Sequence, residues 1–427
     1  MRLNVRLAGL PAKLLLLAVS LVAALTAADA LVRATDLGFR ALRNPANADT
    51  IVESSEFRTR VRTNALGFRE PRLPGPKPPG TRRIVVVGDS FTQGYGVEED
   101  EAYPRQLERL LGDIEVINLG VPGSCPRDYA ANLEEVGRAY EPDLVLVGVM
   151  ANDVNDVLYL RERGARLLPS LLHLEQDRLA DARPPWKRLP SRLWPDLYAL
   201  ASRAIRGPGG GSASAARGPE YGRPRPPSRL PPERWKEVLD ALAARYDNVD
   251  DVERRLATLP PERLARIRTV LTAGRESGEQ EHAMSELMAL LEPRHYIDLL
   301  QLPPAYDEAW KETTRLLARI ATTARQSGAE TMVAYIPAAQ EVTRARLERL
   351  ARQGFEVDYG SLTHAVLIDR LEKFGAETGI PVVDLRGPLR AHADELLYFP
   401  RDSHWTPRAH RLAAEAIADA IARHLRS

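Results

Sequence analysis

The stretch Arg82-Arg83-Ile84-Val85-Val86-Val87-Gly88-Asp89-Ser90 decides the reading of this sequence. A short continuous run of β-branched residues suits a strand buried on both faces of a parallel sheet. Glycine directly after it permits a tight turn, and Ser90 then stands just beyond the strand's C-terminal end. Open α/β sheets bind their ligands at that edge. Thr92-Gln93-Gly94 keeps the chain close to the turn. The bland alternative is a serine that caps the next helix.

Ala102 to Leu111 reads as a helix and Glu115-Val116-Ile117-Asn118 as a second strand. Tyr129 to Arg138 reads as helical, and Leu144-Val145-Leu146-Val147-Gly148-Val149 as a third strand. This alternation predicts βαβ units in a doubly wound sheet. The rhythm breaks near residue 158. Residues 158–328 read as a helical insertion, with helices expected at 233–257, 261–274, 279–292 and 305–326. Within it the Gly/Ser/Pro-rich stretch 207–232 cannot bury much and is expected to be disordered. The α/β pattern resumes over 329–427: a strand at Thr331–Ile336, helices at 338–353 and 362–378, a strand at Pro381–Leu385, and an amphipathic last helix at 406–425. The first half of the α/β domain is thus 81–157. Residues 33–80 read as a linker, proline-rich at its end.

At the N-terminus, Arg2, Arg6 and Lys13 precede the apolar run Leu14 to Ala28 (LLLLAVSLVAALTAA). Basic residues before an apolar core mark an export signal. The run is short for a full span, which needs roughly 20 residues. Flanking apolar residues extend it if Lys13 snorkels. Residues 1–32 are therefore read as a signal anchor, placing the rest in the periplasm or outside a bacterial inner membrane. Ala28-Asp29-Ala30 also fits a cleavage site, which would give a secreted protein.

The chain has 427 residues, with 59 basic and 58 acidic ones and a formal net charge of +1. The charges are intermixed, so no field draws it to nucleic acid. Its one cysteine, Cys125, permits no intrachain disulfide and reads as a small packed residue. The eight histidines show no metal-ligand spacing. A nucleotide site lacks its phosphate-binding glycine motif.

Three strand ends and one late segment carry chemistry. A serine hydroxyl needs a base, and histidine has a suitable pKa. A carboxylate beside that histidine fixes its tautomer and stabilises the imidazolium. Asp402-Ser403-His404-Trp405 offers both groups on the loop into the last helix. Asn118-Leu119-Gly120-Val121-Pro122-Gly123 after strand two offers unshielded amides, and Asn152 after strand three offers a side-chain N–H. Each is turn chemistry when taken alone. Together they fit an oxyanion site, where one donor contributes on the order of 3 kcal/mol to the transition state.

Ser90, Gly123, Asn152 and His404 fall in the order and context of the four blocks of the SGNH (GDSL) hydrolase superfamily, which this chain resembles over about 82–157 and 330–425. GDSFTQGYGVEEDEAYP is similar to the first block of exported bacterial members, and Asn64-Ala65-Leu66-Gly67-Phe68-Arg69 to a segment that often precedes it. The resemblance implies a three-layer α/β/α sandwich on five parallel strands. It implies Ser90 as nucleophile, His404 as base and Asp402 as acid. The Ser90 and Gly123 amides and the Asn152 side chain would form the oxyanion hole, with Asp89 and Asp153 as supports behind them. No metal or cofactor is implied. Two departures stand out: Met150 replaces the usual glycine of the third block, and the last block reads Asp402-x-His404 rather than Asp-x-x-His. The DxHW form resembles the alginate O-acetyltransferase branch.

The expected activity is a serine esterase acting on acylated cell-envelope glycans or small esters. The alternatives are an O-acyltransferase modifying an exopolysaccharide and an inactive envelope scaffold. The insertion would then be a lid or a docking surface for an envelope protein.

Overall fold

The computed structural model describes residues 19–28, 31, 41–163, 254, 256–272, 278–424 and 426. The chain forms two compact units, one from residues 1–40 and 172–218, the other from 41–171 and 219–427. In the first, residues 19–28 are helical, with Val19, Leu21 and Val22 exposed. Among the described residues no helix is long and apolar enough to cross a membrane. The stretch 207–232 lies outside the described residues, as do nearly all of the helix expected at 233–257 and most of the N-terminal segment.

The second unit is built on a five-stranded, wholly parallel sheet. Its strands are β3 (Arg82–Val87), β4 (Ile114–Asn118), β5 (Leu144–Met150), β6 (Glu330–Ile336) and β7 (Val382–Asp384), in the order β4-β3-β5-β6-β7. Register pairs Val86 with Asn118 on one side and with Leu146 on the other, and Leu146 with Met332. Side chains alternate along a strand, so each strand feeds two cores. Val85, Val87, Val145, Val147, Val333 and Tyr335 join one apolar cluster; Ile84, Val86, Leu144, Leu146, Met332 and Ala334 join the other. Both faces are covered by helices, which makes the doubly wound sheet predicted from the strand pattern the three-layer α/β/α sandwich that the resemblance implied.

Seven helices matter for the site and its support: α1 (Ser90–Gln93), α2 (Tyr103–Leu111), α3 (Pro126–Glu135), α4 (Ala151–Arg163), α5 (Asp307–Gln326), α6 (Val366–Thr378) and α7 (Pro407–His424). The helix read from Tyr129 starts earlier, because Pro126 is favourable at a helix's first turn. The helix read over 338–353 is two, Ala339–Val342 and Arg344–Gln353, separated by Thr343 in an extended conformation.

Two further expectations change. Residues 33–80 are not simply a linker: β1 (Asp49–Glu53) and β2 (Arg58–Arg62) form an antiparallel hairpin. Residues 307–326, read as part of the insertion, are α5, which packs on the sheet. It buries Leu316, Leu317, Ile320 and Ala324 in the same cluster as Val145 and Val147. Arg319 holds it to α3 through paired bonds to Glu134 at 2.8 and 2.7 Å. A strand returning parallel to its neighbour needs a long crossover, and α5 is part of that between β5 and β6.

Under β6, Glu341 is fully enclosed. Its carboxyl accepts the Tyr335 hydroxyl and the Ala338 N–H at 2.8–2.9 Å. Burial raises its pKa to about 7, against the pull of those hydrogen bonds and of Arg386 and Arg390. A folded-state pKa above the ordinary 4.5 means the favourable term is complete below 4.5 and lost as pH rises through 7. The stability of the wild type relative to Glu341→Gln should therefore fall by about 3 kcal/mol between pH 4 and 8, as read from urea unfolding. A pH-independent difference would show that Glu341 ionises freely in place.

Candidate active site

The chain passes from β3 to β4 on one side and then across to β5 on the other, so β3 lies at the point where the sheet's order reverses. A crevice opens at the C-terminal edge of such a point. Ser90 follows β3, Gly123 follows β4 and Asn152 follows β5.

The turn at Ser90 is tightly built. Asp89 caps α1, its carboxylate accepting the Phe91 N–H at 2.9 Å. Ser90 is thus the first residue of the helix rather than its cap. Three glycines make room for Thr92: a Cβ on Gly88 would lie 2.0 Å from the Thr92 Oγ1, one on Gly148 2.7 Å from it, and one on Gly120 2.8 Å from its Cβ. Thr92 shares a hydrogen bond of 2.9 Å with the Tyr103 hydroxyl, and its carbonyl accepts from Asn118 Nδ2 at 3.0 Å. Gly94, at φ 84, ends the turn.

His404 comes from the far end of the chain. Its Nε2 lies 2.8 Å from Ser90 Oγ, and its Nδ1 is in a short contact with Asp402 Oδ1. Asp402 Oδ1 also accepts the His404 N–H at 3.2 Å. Burial pushes the Asp402 carboxyl up, but the bond to His404 and its charge outweigh burial and leave it below the usual carboxylate value. Phe91 and Tyr95 flank the imidazole, with ring centroids at 4.8 and 4.7 Å. Trp405 is wholly buried edge-on against Phe91 and bridges back to Tyr398, which anchors the loop to the core.

Among the described residues, neither the Ser90 nor the Gly123 main-chain N–H has an acceptor within the protein, and Gly123 takes φ 72. Asn152 Nδ2 donates to Asp156 at 3.2 Å, so one of its two hydrogens is already committed. The Asn152 Oδ1 is buried without a partner. Asp153 accepts the Tyr129 hydroxyl at 2.8 Å and the Met150 N–H at 2.9 Å; it ties β5 to α3 and does not meet His404. Burial, then the Asp89 charge, raises the Asp153 pKa well above its ordinary value. Burial also raises Asp89, to about 6. Met150 is half-buried against the core and holds no unusual backbone. Cys125 is buried and its thiol pushed up by burial, which makes it inert.

Several supports carry no signal that periodicity or spacing could reveal. Asn118 takes the Glu70 carboxylate on its N–H at 2.9 Å. His410 is buried, its pKa brought down to about 3 mainly by burial, and its Nδ1 accepts the Tyr103 N–H. It is a neutral side chain with a structural role. Arg69 is the most consequential. It is 1% exposed, and its guanidinium donates to the carbonyls of Gly94, Val97 and Arg60 at 2.8–2.9 Å. Burial lowers its pKa, opposed by Glu99, Glu98, Asp100 and Glu101. Arg69→Ala leaves three carbonyls and a cavity behind. It should cost on the order of 3 kcal/mol or more in urea unfolding, with lowered activity. A loss under 1 kcal/mol would mean water replaces the guanidinium.

A GDSL-like lipase/acylhydrolase family model matches residues 84–206, and a model of the SGNH hydrolase-like domain of the acetyltransferase AlgX matches 298–427. An arylesterase of Vibrio mimicus is 31% identical over 77 residues, 17% of this chain and 38% of the relative's own length. Among solved structures, a lipolytic protein of the G-D-S-L family from Veillonella parvula is 11% identical with a TM-score of 0.33, covering 80% of this chain and 100% of its own. An acetylxylan esterase of Geobacillus stearothermophilus is 15% identical with a TM-score of 0.29, covering 79% and 93%. One family model falls on the half of the sheet that carries Ser90 and the other on the half that carries His404. The chain is a member of the SGNH (GDSL) hydrolase superfamily.

Proposed function

We propose that the chain is a serine-dependent esterase that cleaves short acyl esters, acetyl esters first, on cell-envelope glycans or small molecules. The observation that carries this reading is the Ser90 Oγ–His404 Nε2–Asp402 alignment, with Oγ and Nε2 at 2.8 Å. His404 Nε2 takes the hydroxyl proton as Ser90 Oγ bonds to the ester carbonyl carbon. The oxyanion forms toward the unpaired N–H groups of Ser90 and Gly123 and the remaining Asn152 N–H. Collapse breaks the ester C–O bond, and the departing alcohol takes the proton from His404. Water, deprotonated by the same imidazole, then releases the acid and restores Ser90.

A second reading has one observation in its favour: the AlgX acetyltransferase model matches the part of the chain that contains Asp402-Ser403-His404-Trp405. In it a sugar hydroxyl replaces water at the second step. The N-terminal apolar run would hold either enzyme to the bacterial inner membrane, facing outward. Incubation of the full chain with p-nitrophenyl acetate, with and without a polysaccharide acceptor, separates the two. Ser90-dependent release of free acetate, unaffected by the acceptor, supports the esterase. Acetate accumulating on the polysaccharide would replace it by the transferase.

A further inference from the structure

Only Ser403 separates Asp402 from His404. To bring the His404 ring and its main-chain N–H onto one carboxylate, the chain folds back sharply, and Ser403 takes φ 71. That left-handed region favours glycine and is strained for serine. Within the loop, Ser403 N–H donates to Phe399 and Phe399 N–H donates to His404, at 2.8 and 2.9 Å. The two N–H groups between them, of Arg401 and Asp402, point elsewhere. Both donate to the carboxylate of Glu56, at 2.9 and 3.0 Å from Arg401 and 2.8 Å from Asp402.

Glu56 sits at the tip of the β1–β2 hairpin, some 350 residues away in sequence. That tip is itself fixed. Ser54 Oγ accepts the Glu56 and Phe57 N–H groups at 3.0 and 3.2 Å, and Ser54 N–H donates to the Phe57 carbonyl at 2.9 Å. Beside it Phe57 packs on Phe399 and on Tyr95, with centroids at 5.0 and 5.4 Å, and Tyr95 packs on the His404 ring. A charged acceptor bonded to two consecutive N–H groups is the strong form of such a contact.

We propose that Glu56 is a positioning residue: its carboxylate clamps the Arg401–Asp402 main chain, holds Ser403 in its strained conformation, and so keeps Asp402 on His404 Nδ1. This rests on the proposed roles of Ser90, His404 and Asp402. The hairpin thereby becomes part of the catalytic unit, the device that lets a one-residue spacing serve where the superfamily commonly has two.

The test is steady-state hydrolysis of p-nitrophenyl acetate by the full chain. Glu56→Ala should lower kcat by roughly 10- to 100-fold, with KM within about twofold, since only the alignment of the base is disturbed. Glu56→Gln keeps one acceptor oxygen and should recover most of the loss. Adding Ser403→Gly to Glu56→Ala removes the strain that the clamp offsets, and should restore kcat by about fivefold or more. Wild-type kcat in Glu56→Ala, a change confined to KM, or a further loss on adding Ser403→Gly would each overturn the clamp. If Glu56→Ala fails to fold by circular dichroism, Glu56→Gln decides: a lowered kcat at unchanged KM supports the clamp, and a wild-type kcat overturns it. Ser90→Ala is assayed alongside. If it stays active, the proposed catalytic roles fail whatever Glu56 does.

Discussion

Ser90→Ala is expected to lose about 10⁴- to 10⁶-fold in kcat while keeping its circular dichroism spectrum and urea midpoint within error. The activity loss follows from chemistry: without Oγ no acyl-enzyme forms, and only water activated by His404 remains to attack. The preserved fold follows from the turn. Asp89 caps α1 and Thr92 is held by Tyr103 and Asn118, none through the Ser90 hydroxyl. Ser90 is partly exposed, so losing one oxygen leaves no buried cavity. Retention of more than a hundredth of wild-type kcat would place the nucleophile elsewhere.

Asp402→Asn should lower kcat by about 10⁴-fold, with little change in KM. The carboxylate accepts two N–H groups of His404, one from the ring and one from the main chain. An amide in its place can satisfy the main-chain N–H. Both bonds meet the same oxygen, so an amide oxygen there keeps both without the charge, whereas an amide nitrogen there opposes the main-chain N–H and forces the tautomer that carries its proton on Nε2, which then cannot accept from Ser90. Either way the charge that stabilises the imidazolium is lost. The predicted result is a slow enzyme that still binds substrate, seen as a fall in kcat. Unchanged kinetics would hand the role to another carboxylate.

The sheet and the site differ in how plainly the sequence announces them. Runs such as Ile84–Val87 and Leu144–Val149 are too short for helices and too apolar for edges, so the buried parallel strands were legible without coordinates. That Asp402, His404 and Ser90 could meet was legible because each follows or precedes a readable element. The hairpin was not. Its strands are five residues each, and the Arg-Thr-Arg-Val-Arg alternation of β2 buries only Thr59 and Val61, a weak signal inside a polar stretch. Arg69 closes the Asn64–Arg69 segment of the resemblance, but nothing in its spacing shows that it is buried, because burial of a guanidinium is decided by three carbonyls contributed from distant turns. The same holds for Glu56, whose partners lie at the opposite end of the chain. For Asn152, sequence supplied a free donor at the end of β5; one of its hydrogens proves to be shared with Asp156, a turn further along α4. Residues 305–326 were assigned to the insertion because the strand–helix rhythm breaks near 158 and resumes only at the Thr331 strand. Their buried face, Ala309, Thr313, Leu316, Leu317, Ile320 and Ala324, is the ordinary stripe of a crossover helix.

The most direct measurement is to quench the full chain with acid during its first turnover of p-nitrophenyl acetate and map the acetylated peptide by mass spectrometry. The expected result is one acetyl group on Ser90, absent from Ser90→Ala and accumulating in slowed variants such as Asp402→Asn only as fast as they turn over. An acetyl group on another residue, or turnover with no covalent adduct, would contradict a Ser90 acyl-enzyme.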